Sequence, residues 1–359
     1  MDRSKRTALA AGVAALVSLA VAAPAAAQAT WKPDKQITII VPWAAGGSTD
    51  QVTRVTAAEI EKALGQKVVV VNQPGASGSI GTKNAMEAAK DGYTWTAGAA
   101  QDLGTYQTLG MLDTKIGDWA LFLNVANVST IAVNPNTPYK TAAELIDAMK
   151  AKPGQISVAT AGVNSSGHSA MEAIARATGV KYKHVTYDGG NPAVVATVAG
   201  ETDVTTQLTV EEAEMIRGKR LRPLAVVGDR AVELDGYGTI EPLTKTLASF
   251  KAPANHFGIF VPKSVPPQVL ATLEKIWADN IASSKALKEY ATSRGAVFAP
   301  LAGDAAQRAV APAVATNAWM AFDGGKAKVS PEPLGIPRPC RRRRTAWARR
   351  RPRRRAPTR

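Results

Sequence analysis

The chain has 359 residues, of which 45% are hydrophobic, and it carries a formal net charge of +15 at pH 7. Residues 338–359 contain 12 Arg and no acid, and residues 1–27 add a net +2, so about +1 remains for the body between them. A near-neutral body argues against nucleic-acid binding by the folded part, because that function would need a basic face. A body of about 310 residues is large for a single hydrophobic core, so we expect two lobes.

Residues 1–29 have the pattern of a secretory signal peptide. Three basic residues precede an Ala-rich apolar run over residues 8–21, and small residues after it offer cleavage sites following Ala27 or Ala29. A membrane anchor is the alternative, but the apolar run is short for a membrane span. The sequence therefore predicts a periplasmic mature protein.

From residue 37 onward, apolar segments typical of strands alternate with segments of helical period. In the first part of the chain, the predicted strands cover residues 37–41, 68–71 and 93–97, and the predicted helices cover residues 48–64 and 80–89. Ser48 and Gln51 fit the N-cap and N3 positions of a capping box at the start of the first helix. Gly65 suits the position just after its C-terminal end.

The rest of the chain continues this alternation. Predicted strands cover residues 128–133, 156–159, 183–186, 203–207, 224–227 and 257–261, and predicted helices cover residues 141–150, 165–178, 191–199, 267–282, 285–293 and 303–320. Thr141 begins another capping box, with Glu144 as its partner. Alternating strands and helices predict an α/β fold with mostly parallel sheets.

Three Gly-rich turns follow predicted strands, at residues 43–50, 160–168 and 187–191. Ligands bind at the carboxyl ends of strands in open α/β sheets, so we expect these turns to face a shared cleft. Each turn leads into a predicted helix, whose first N–H groups lack partners within the helix and whose dipole favours negative charge. None of the three turns contains Lys or Arg, so the sequence predicts a small-anion site built mainly from backbone N–H groups.

Several motifs occur in order along the chain. They are Pro42-Trp43-Ala44-Ala45-Gly46-Gly47-Ser48-Thr49-Asp50, Asn72-Gln73-Pro74-Gly75-Ala76-Ser77-Gly78, Asp91-Gly92-Tyr93-Thr94 and Tyr187-Asp188-Gly189-Gly190. Over about residues 31–337, the sequence resembles the Bug-type extracytoplasmic solute receptors of tripartite tricarboxylate transporters. The resemblance implies a type II periplasmic-binding-protein-like fold, in which two α/β lobes are joined by a two-crossing hinge.

The resemblance also implies a domain plan and a function. Lobe I would comprise residues 30–129 plus 256–337, and lobe II would be the insert of residues 130–255. The protein would be a monomeric periplasmic receptor, without enzymatic activity, cofactor or metal ion, that passes a small carboxylate to the membrane subunits of a transporter. The segments at residues 43–45 and 101–104 resemble the tricarboxylate branch of the family, which favours a ligand such as citrate.

Sixteen residues are candidate ligand contacts. They are Trp43, Ala44, Gly46, Gly47, Ser48, Thr49, Asp50, Gln101, Thr160, Ser165, Ser166, His168, Tyr187, Gly189, Gly190 and Asn191. Some of them have a structural alternative. Ser48, Asp50, Ser165 and Ser166 could instead cap their helices, and His168 could be a structural hydrogen-bonding group near a helix start.

Two other functions are compatible with parts of the sequence. A secreted hydrolase would use Ser48 or Ser166 as nucleophile and His168 as base, but the chain contains no Gly-x-Ser-x-Gly elbow. A polyanion-binding protein would act through the Arg-rich tail, residues 338–359, which lacks apolar periodicity and is expected to be disordered. Out-of-frame translation past a lost stop codon is the other explanation of this tail. The scattered His residues and the single Cys have no metal-binding spacing.

Overall fold

The computed structural model of the chain describes residues 30–252 and 255–339. The predicted signal peptide and nearly all of the Arg-rich tail lie outside the described residues, so the statements about them stay predictions. Within the described residues, the chain forms thirteen β-strands and ten α-helices. None of these helices is both long and apolar enough to cross a membrane.

The strands and helices alternate along most of the chain. The strands are β1 (Ile37–Val41), β2 (Val68–Asn72), β3 (Thr94–Ala99), β4 (Trp119–Asn127), β5 (Thr130–Val133), β6 (Ser157–Thr160), β7 (Lys183–Thr186), β8 (Val204–Thr205), β9 (Arg222–Val226), β10 (Val232–Leu234), β11 (Gly238–Ile240), β12 (Asn255–Pro262) and β13 (Val297–Ala302). The helices are α1 (Ser48–Leu64), α2 (Ser79–Glu87), α3 (Ala100–Leu109), α4 (Ala142–Ala151), α5 (Ser166–Thr178), α6 (Gly190–Ala199), α7 (Thr209–Arg217), α8 (Pro267–Asp279), α9 (Lys285–Arg294) and α10 (Gly303–Asp323).

Six strands form the first sheet, in the order β13-β4-β12-β3-β1-β2. β1 is parallel to β2 and β3, whereas β12 is antiparallel to β3 and β4, and β13 is antiparallel to β4. Ile37 and Ile39 of β1 pack with helices α1, α8 and α9, whereas Ile40 packs on the opposite face with α2, α3 and α10. Helices therefore cover both faces, which explains why β1 is apolar almost throughout.

Five strands form the second sheet, in the order β7-β6-β8-β5-β9. β6 is parallel to β7 and β8, whereas β5 is antiparallel to β8 and β9. Ile131 and Val133 of β5 pack against α4 and α5, and Ala132 between them packs on the other face with α6 and α7. Because successive residues of a strand point to opposite faces, helices cover both faces of this sheet as well.

The two sheets share one topological rule. In the first sheet, β12 runs antiparallel to both of its neighbours, β3 and β4. In the second sheet, β5 runs antiparallel to both of its neighbours, β8 and β9. Each of these two strands is the first strand of its sheet after the chain crosses from the other sheet. The first crossing runs from Asn127 to Thr130, and the return ends at Asn255. The type II two-lobe α/β fold predicted from the sequence is thereby confirmed. We call the part around the first sheet lobe I and the part around the second lobe II; their exact residue boundaries stay a prediction.

The C-terminal part of lobe I contacts lobe II away from the strand-end turns. Lys326 pairs with Glu172 of α5 at 2.8 Å, and Arg176 of α5 pairs with Asp323 at 2.7 Å. Arg338, which the sequence assigned to the disordered tail, also pairs with Asp323, at 3.1 Å. The ordered contacts of the described chain therefore continue into the first residues of that tail.

Three helix starts can be compared with the sequence predictions. Thr141 is the N-cap of α4, as predicted, and its side chain accepts an N–H from the first turn. Ser165 is the N-cap of α5, which is the structural alternative to a ligand contact. The N-cap of α1 is Gly47, and Ser48 is the first helical residue, so the predicted capping box at Ser48 is wrong. The N–H of Ser48 is consequently free to bond outside its own helix.

Strands β4, β10, β11 and β13 and helices α3 and α7 are absent from the sequence predictions. Helix α3 is buried on nearly every side, so it has no polar stripe to mark its helical period. Helix α7 has Leu208 as its N-cap, a residue type that seldom caps helices. Both helices bring acidic side chains to the interface between the lobes.

Candidate functional site

The turns at the strand ends of the two lobes are in direct contact, so the cleft between the lobes is closed. The N–H of Ala44, after β1, donates to the carbonyl of Asp188, after β7, at 3.1 Å. A Cβ added to Gly189 would lie 3.0 Å from the Cβ of Ala44, and a Cβ added to Gly46 would lie 3.3 Å from the amide nitrogen of Asn191. Two of the predicted turns therefore meet at a distance that leaves little room for side chains.

The turn after β6 contacts lobe I as well. The amide of Asn164 donates to the carbonyl of Asp102 at 3.2 Å, and its oxygen accepts from the hydroxyl of Thr105 at 2.6 Å. Gly162 has a φ of +115°, and a Cβ there would lie 2.7 Å from Oγ of Ser77 in lobe I. All three predicted turns thus converge on one interface between the lobes.

A carboxylate that the sequence reasoning missed lies at the centre of this interface. Oε1 of Glu211, in the first turn of α7, accepts the N–H of Ser48 at 2.9 Å, and Oε2 accepts the N–H of Leu208 at 3.3 Å. The side-chain amide of Gln207, oriented to satisfy its neighbours, donates to Oε2 at 3.0 Å. One signal could have revealed Glu211, because it follows β8 at the sheet edge from which the predicted turns of lobe II emerge.

Two glycines differ in how closely they approach this carboxylate. A Cβ added to Gly190, the first residue of α6, would lie 2.1 Å from both oxygens of Glu211. A Cβ added to Gly47 would lie 3.5 Å from its nearest neighbours, which is ordinary contact. The carboxylate therefore lies directly against the start of α6, and the starts of α1, α6 and α7 surround it.

The space that remains beside Glu211 is a cavity of about 20 Å³. Seven of the sixteen candidate residues line it: Trp43, Gly47, Ser48, Thr49, Ser165, Ser166 and Gly190. Such a space holds about one water molecule, whereas pockets for small ligands typically measure about 300 Å³ or more. The cleft is therefore closed at the strand-end turns, with no room for a ligand beside Glu211.

Asp102 and Glu212 are buried and Glu211 is partly buried in this part of the structure. Burial raises the pKa of Glu211, although the N–H of Ser48 opposes the shift. Burial likewise raises the pKa of Asp102 and the pKa of Glu212 well above their usual values. Among the described residues that line the small cavity there is no Lys or Arg. The hydrogen bonds identified at the Glu211 carboxylate therefore come from backbone and amide N–H groups, without a Lys or Arg in the described lining.

Asp50 supports the first turn from behind. It accepts the N–H of Gly46 at 2.9 Å and an N–H of Asn72 at 2.9 Å, and it pairs with Arg54 at 2.8 Å. Although burial acts in the opposite direction, the Arg54 guanidinium and these N–H groups hold the pKa of Asp50 below its usual value. Asp50 and Arg54 thus position the turn and do not line the small cavity.

Several other candidate residues lie behind the turns or at the surface. Burial, together with the neighbouring His184, lowers the pKa of His168 to about 3, and the two rings stack with centroids 4.4 Å apart. The Thr160 hydroxyl bonds to Nε2 of His184 at 2.6 Å. The hydroxyl of Tyr187 is exposed and reaches Glu201 at 3.4 Å. These contacts fit structural roles for His168 and Thr160.

Gln101 faces a second and larger cavity of about 530 Å³ along the crossing segments. Its oxygen accepts from the amide of Asn317 at 2.8 Å, and the two residues line this cavity together with Asn127, Arg230 and Asn255. Ser166 and Leu208 line both cavities. The larger space therefore borders the small cavity, but the Glu211 carboxylate does not line it.

The geometry does not support a serine hydrolase. Oγ of Ser166 accepts from the amide of Asn255 at 2.6 Å. Nδ1 of His168 accepts the N–H of Asn164 at 3.2 Å, and its Nε2 lies 3.7 Å from Glu172. Both ring nitrogens of His168 therefore face structural partners. A catalytic base would instead direct one ring nitrogen at a serine hydroxyl.

Comparison with known proteins agrees with this description. The chain matches the family model of the tripartite tricarboxylate transporter family receptor over residues 52–312. A protein from the gbd 5' region of Cupriavidus necator is 31% identical over 276 residues, which cover 76% of this chain and 83% of that protein. Protein BugT of Bordetella pertussis is 30% identical over 290 residues, covering 78% of this chain and 86% of that protein.

Solved structures show the same fold. The structure of the periplasmic binding protein BugD has a TM-score of 0.73 and 25% identity, and the match covers 82% of this chain and 99% of that one. A second structure, described as a periplasmic transporter, has a TM-score of 0.72 and 25% identity, with 82% and 98% covered. The two-lobe fold and its cleft define a solute-binding protein. The chain belongs to the tripartite tricarboxylate transporter receptor family and is a Bug-type receptor, not an enzyme.

Proposed function

We propose that this receptor captures a small carboxylate between its lobes and delivers it to the membrane subunits of a tripartite tricarboxylate transporter. The observation that carries the proposal is the Glu211 carboxylate, which accepts the N–H of Ser48 and lies against Gly190. Helix N-termini from both lobes surround a carboxylate here, in a cavity with no Lys or Arg among the described lining residues. Since helix N-termini favour negative charge, the same N–H groups suit the carboxylate of a ligand.

Citrate is the first ligand we propose, on the family resemblance of residues 43–45 and 101–104. Asp102 lines the small cavity, and burial raises its pKa well above the usual value. A protonated Asp102 would donate a hydrogen bond to a ligand carboxylate instead of repelling it. This supports a ligand with more than one carboxylate, one held by the helix starts and another near Asp102.

The proposed site of action is the periplasm, and the proposed form is a monomer released by cleavage after Ala27 or Ala29. The family to which the chain belongs and the predicted signal peptide support this location. Lobe closure would place the ligand under the turns of both lobes, and its release at the transporter would require the lobes to separate.

A thermal-shift screen of the mature receptor against mono-, di- and tricarboxylates tests the proposed ligand class. A ligand at 100 times its Kd adds about 2.7 kcal/mol to the free energy of unfolding, which raises the Tm by several degrees. The amides of the same acids are the matched control and should give no shift, because they lack the negative charge. The proposal fails if sugars or polyamines raise the Tm while no carboxylate does.

Arg54→Ala is expected to weaken ligand binding only slightly. Arg54 pairs with Asp50 and with Asn72, behind the turn that begins α1, and it does not line the cavity. Its loss removes support for that turn, which we expect to cost on the order of 1 kcal/mol, or about fivefold in Kd. Calorimetry with the ligand found in the screen measures the effect. Complete loss of binding would show that a side-chain clamp holds the ligand.

A further inference from the structure

We propose that Glu211 is a built-in occupant of the carboxylate seat, which a ligand must displace before it binds. We define the carboxylate seat as the space bounded by the N–H of Ser48, the backbone of Gly190 and the N–H of Leu208. The inference rests on the proposed function, because it assumes that a ligand carboxylate uses this seat. It assigns to Glu211 the role of setting the affinity and of holding the empty receptor closed.

The bond of Glu211 to Leu208 caps its own helix, whereas its bond to Ser48 is one that a bound ligand carboxylate could make. The Glu211 carboxylate accepts a free N–H at the start of α1 in lobe I, at 2.9 Å, while the residue itself belongs to α7 of lobe II. The bond therefore joins the two lobes across the cleft. A Cβ added to Gly190 would lie 2.1 Å from both oxygens, so the Glu211 carboxylate packs directly against the start of α6.

The seat cannot hold two carboxylates. Only about 20 Å³ remains beside Glu211, which is room for one water molecule. A second carboxylate in this space would also face the charge of the first at close range, with no Lys or Arg among the described lining residues to offset it. Ligand binding in the seat therefore requires the Glu211 side chain to leave.

Displacement has a measurable effect on affinity. If the seat is free only in a fraction of the molecules, the apparent Kd equals the intrinsic Kd divided by that fraction. Glu211 thus lowers the affinity in proportion to how firmly it holds the seat. Removing its carboxylate should tighten ligand binding, whereas removing an ordinary ligand contact would weaken it.

Glu211→Ala with acetate as the probe tests the seat directly. Acetate matches the end of the side chain that the substitution removes, so millimolar acetate should raise the Tm of Glu211→Ala by several degrees and leave that of the wild type unchanged. Acetamide should have no such effect on either protein. Glu211→Gln is the matched control, because its side chain still fills the seat, and acetate should not stabilise it.

Calorimetry with the best carboxylate from the screen tests the competition. We expect Glu211→Ala to bind it at least tenfold more tightly than the wild type, and Glu211→Gln, which keeps the side-chain volume and hence the fold, at least threefold more tightly. The inference is overturned if acetate leaves Glu211→Ala unchanged, or if Glu211→Gln binds the carboxylate as weakly as the wild type or more weakly. A negative screen combined with stabilisation by acetate would refute the proposed ligand and leave the role of Glu211 intact.

Discussion

Gly190→Val is expected to weaken carboxylate binding at least hundredfold, a loss of about 2.7 kcal/mol. A Cβ at this position would lie 2.1 Å from both oxygens of Glu211, in the seat that we assign to the ligand carboxylate. The branched side chain would occupy this seat and exclude both the Glu211 carboxylate and a ligand carboxylate from it. Calorimetry on the folded variant, with the fold checked by circular dichroism, measures the effect.

Gly47→Ala is the matched control for this result. Gly47 also lies at a helix start in the cleft, but its φ is −74° and an added Cβ would make only ordinary contacts at 3.5 Å. We expect its Kd to stay within about threefold of the wild-type value, because a φ near −74° suits alanine as well as glycine. If Gly47→Ala abolishes binding while Gly190→Val binds normally, the seat is not at the start of α6.

The amino-acid pattern indicated that the three turns lie together, but it did not reveal the Glu211 carboxylate between them. Strand, Gly-rich turn and helix are local features, so the turns after β1, β6 and β7 could be placed at one sheet edge from the sequence. Their contact across the cleft, for example from Ala44 to Asp188, agrees with that placement. The pairing of Ser48 with Glu211 joins residues 163 positions apart, and no local pattern encodes it.

The two missed helices share a physical cause. Helix α3 has no amphipathic stripe because α10 covers it closely: a Cβ at Gly104 would lie 2.5 Å from the side chain of Val314. A glycine inside a helix lowers its intrinsic propensity, so the sequence around Gly104 does not favour a helix without this tertiary contact. Helix α7 likewise depends on its neighbours, since Glu212 is buried where a surface helix would expose an acid. Both helices are therefore stabilised by tertiary burial, and the sequence pattern of a single segment does not show such burial.

Glu212→Met is expected to stabilise the receptor by about 1–3 kcal/mol at neutral pH. Glu212 is fully buried, and within the described chain neither of its carboxyl oxygens has a partner at hydrogen-bonding geometry. Burial, with the nearby charge of Glu211, raises the pKa of Glu212 well above its usual value, although the backbone of Gln207 opposes the shift. Methionine has a similar length and no polar group to desolvate, so the substitution removes this cost without leaving a large cavity.

The stability difference between Glu212→Met and the wild type should depend on pH. An acid with a raised pKa in the folded state stabilises that state least at high pH, because above the unfolded pKa of about 4.3 the protein must keep a proton that the unfolded chain releases. The advantage of Glu212→Met should therefore grow as the pH rises from about 4 and shrink in acid. Denaturant unfolding at several pH values measures it, with Glu214→Met as the control, since Glu214 is mostly exposed on the same helix and should change stability by less than about 0.5 kcal/mol. A Glu212→Met variant that is less stable than the wild type at pH 8 would show that the carboxyl group has a partner that holds it.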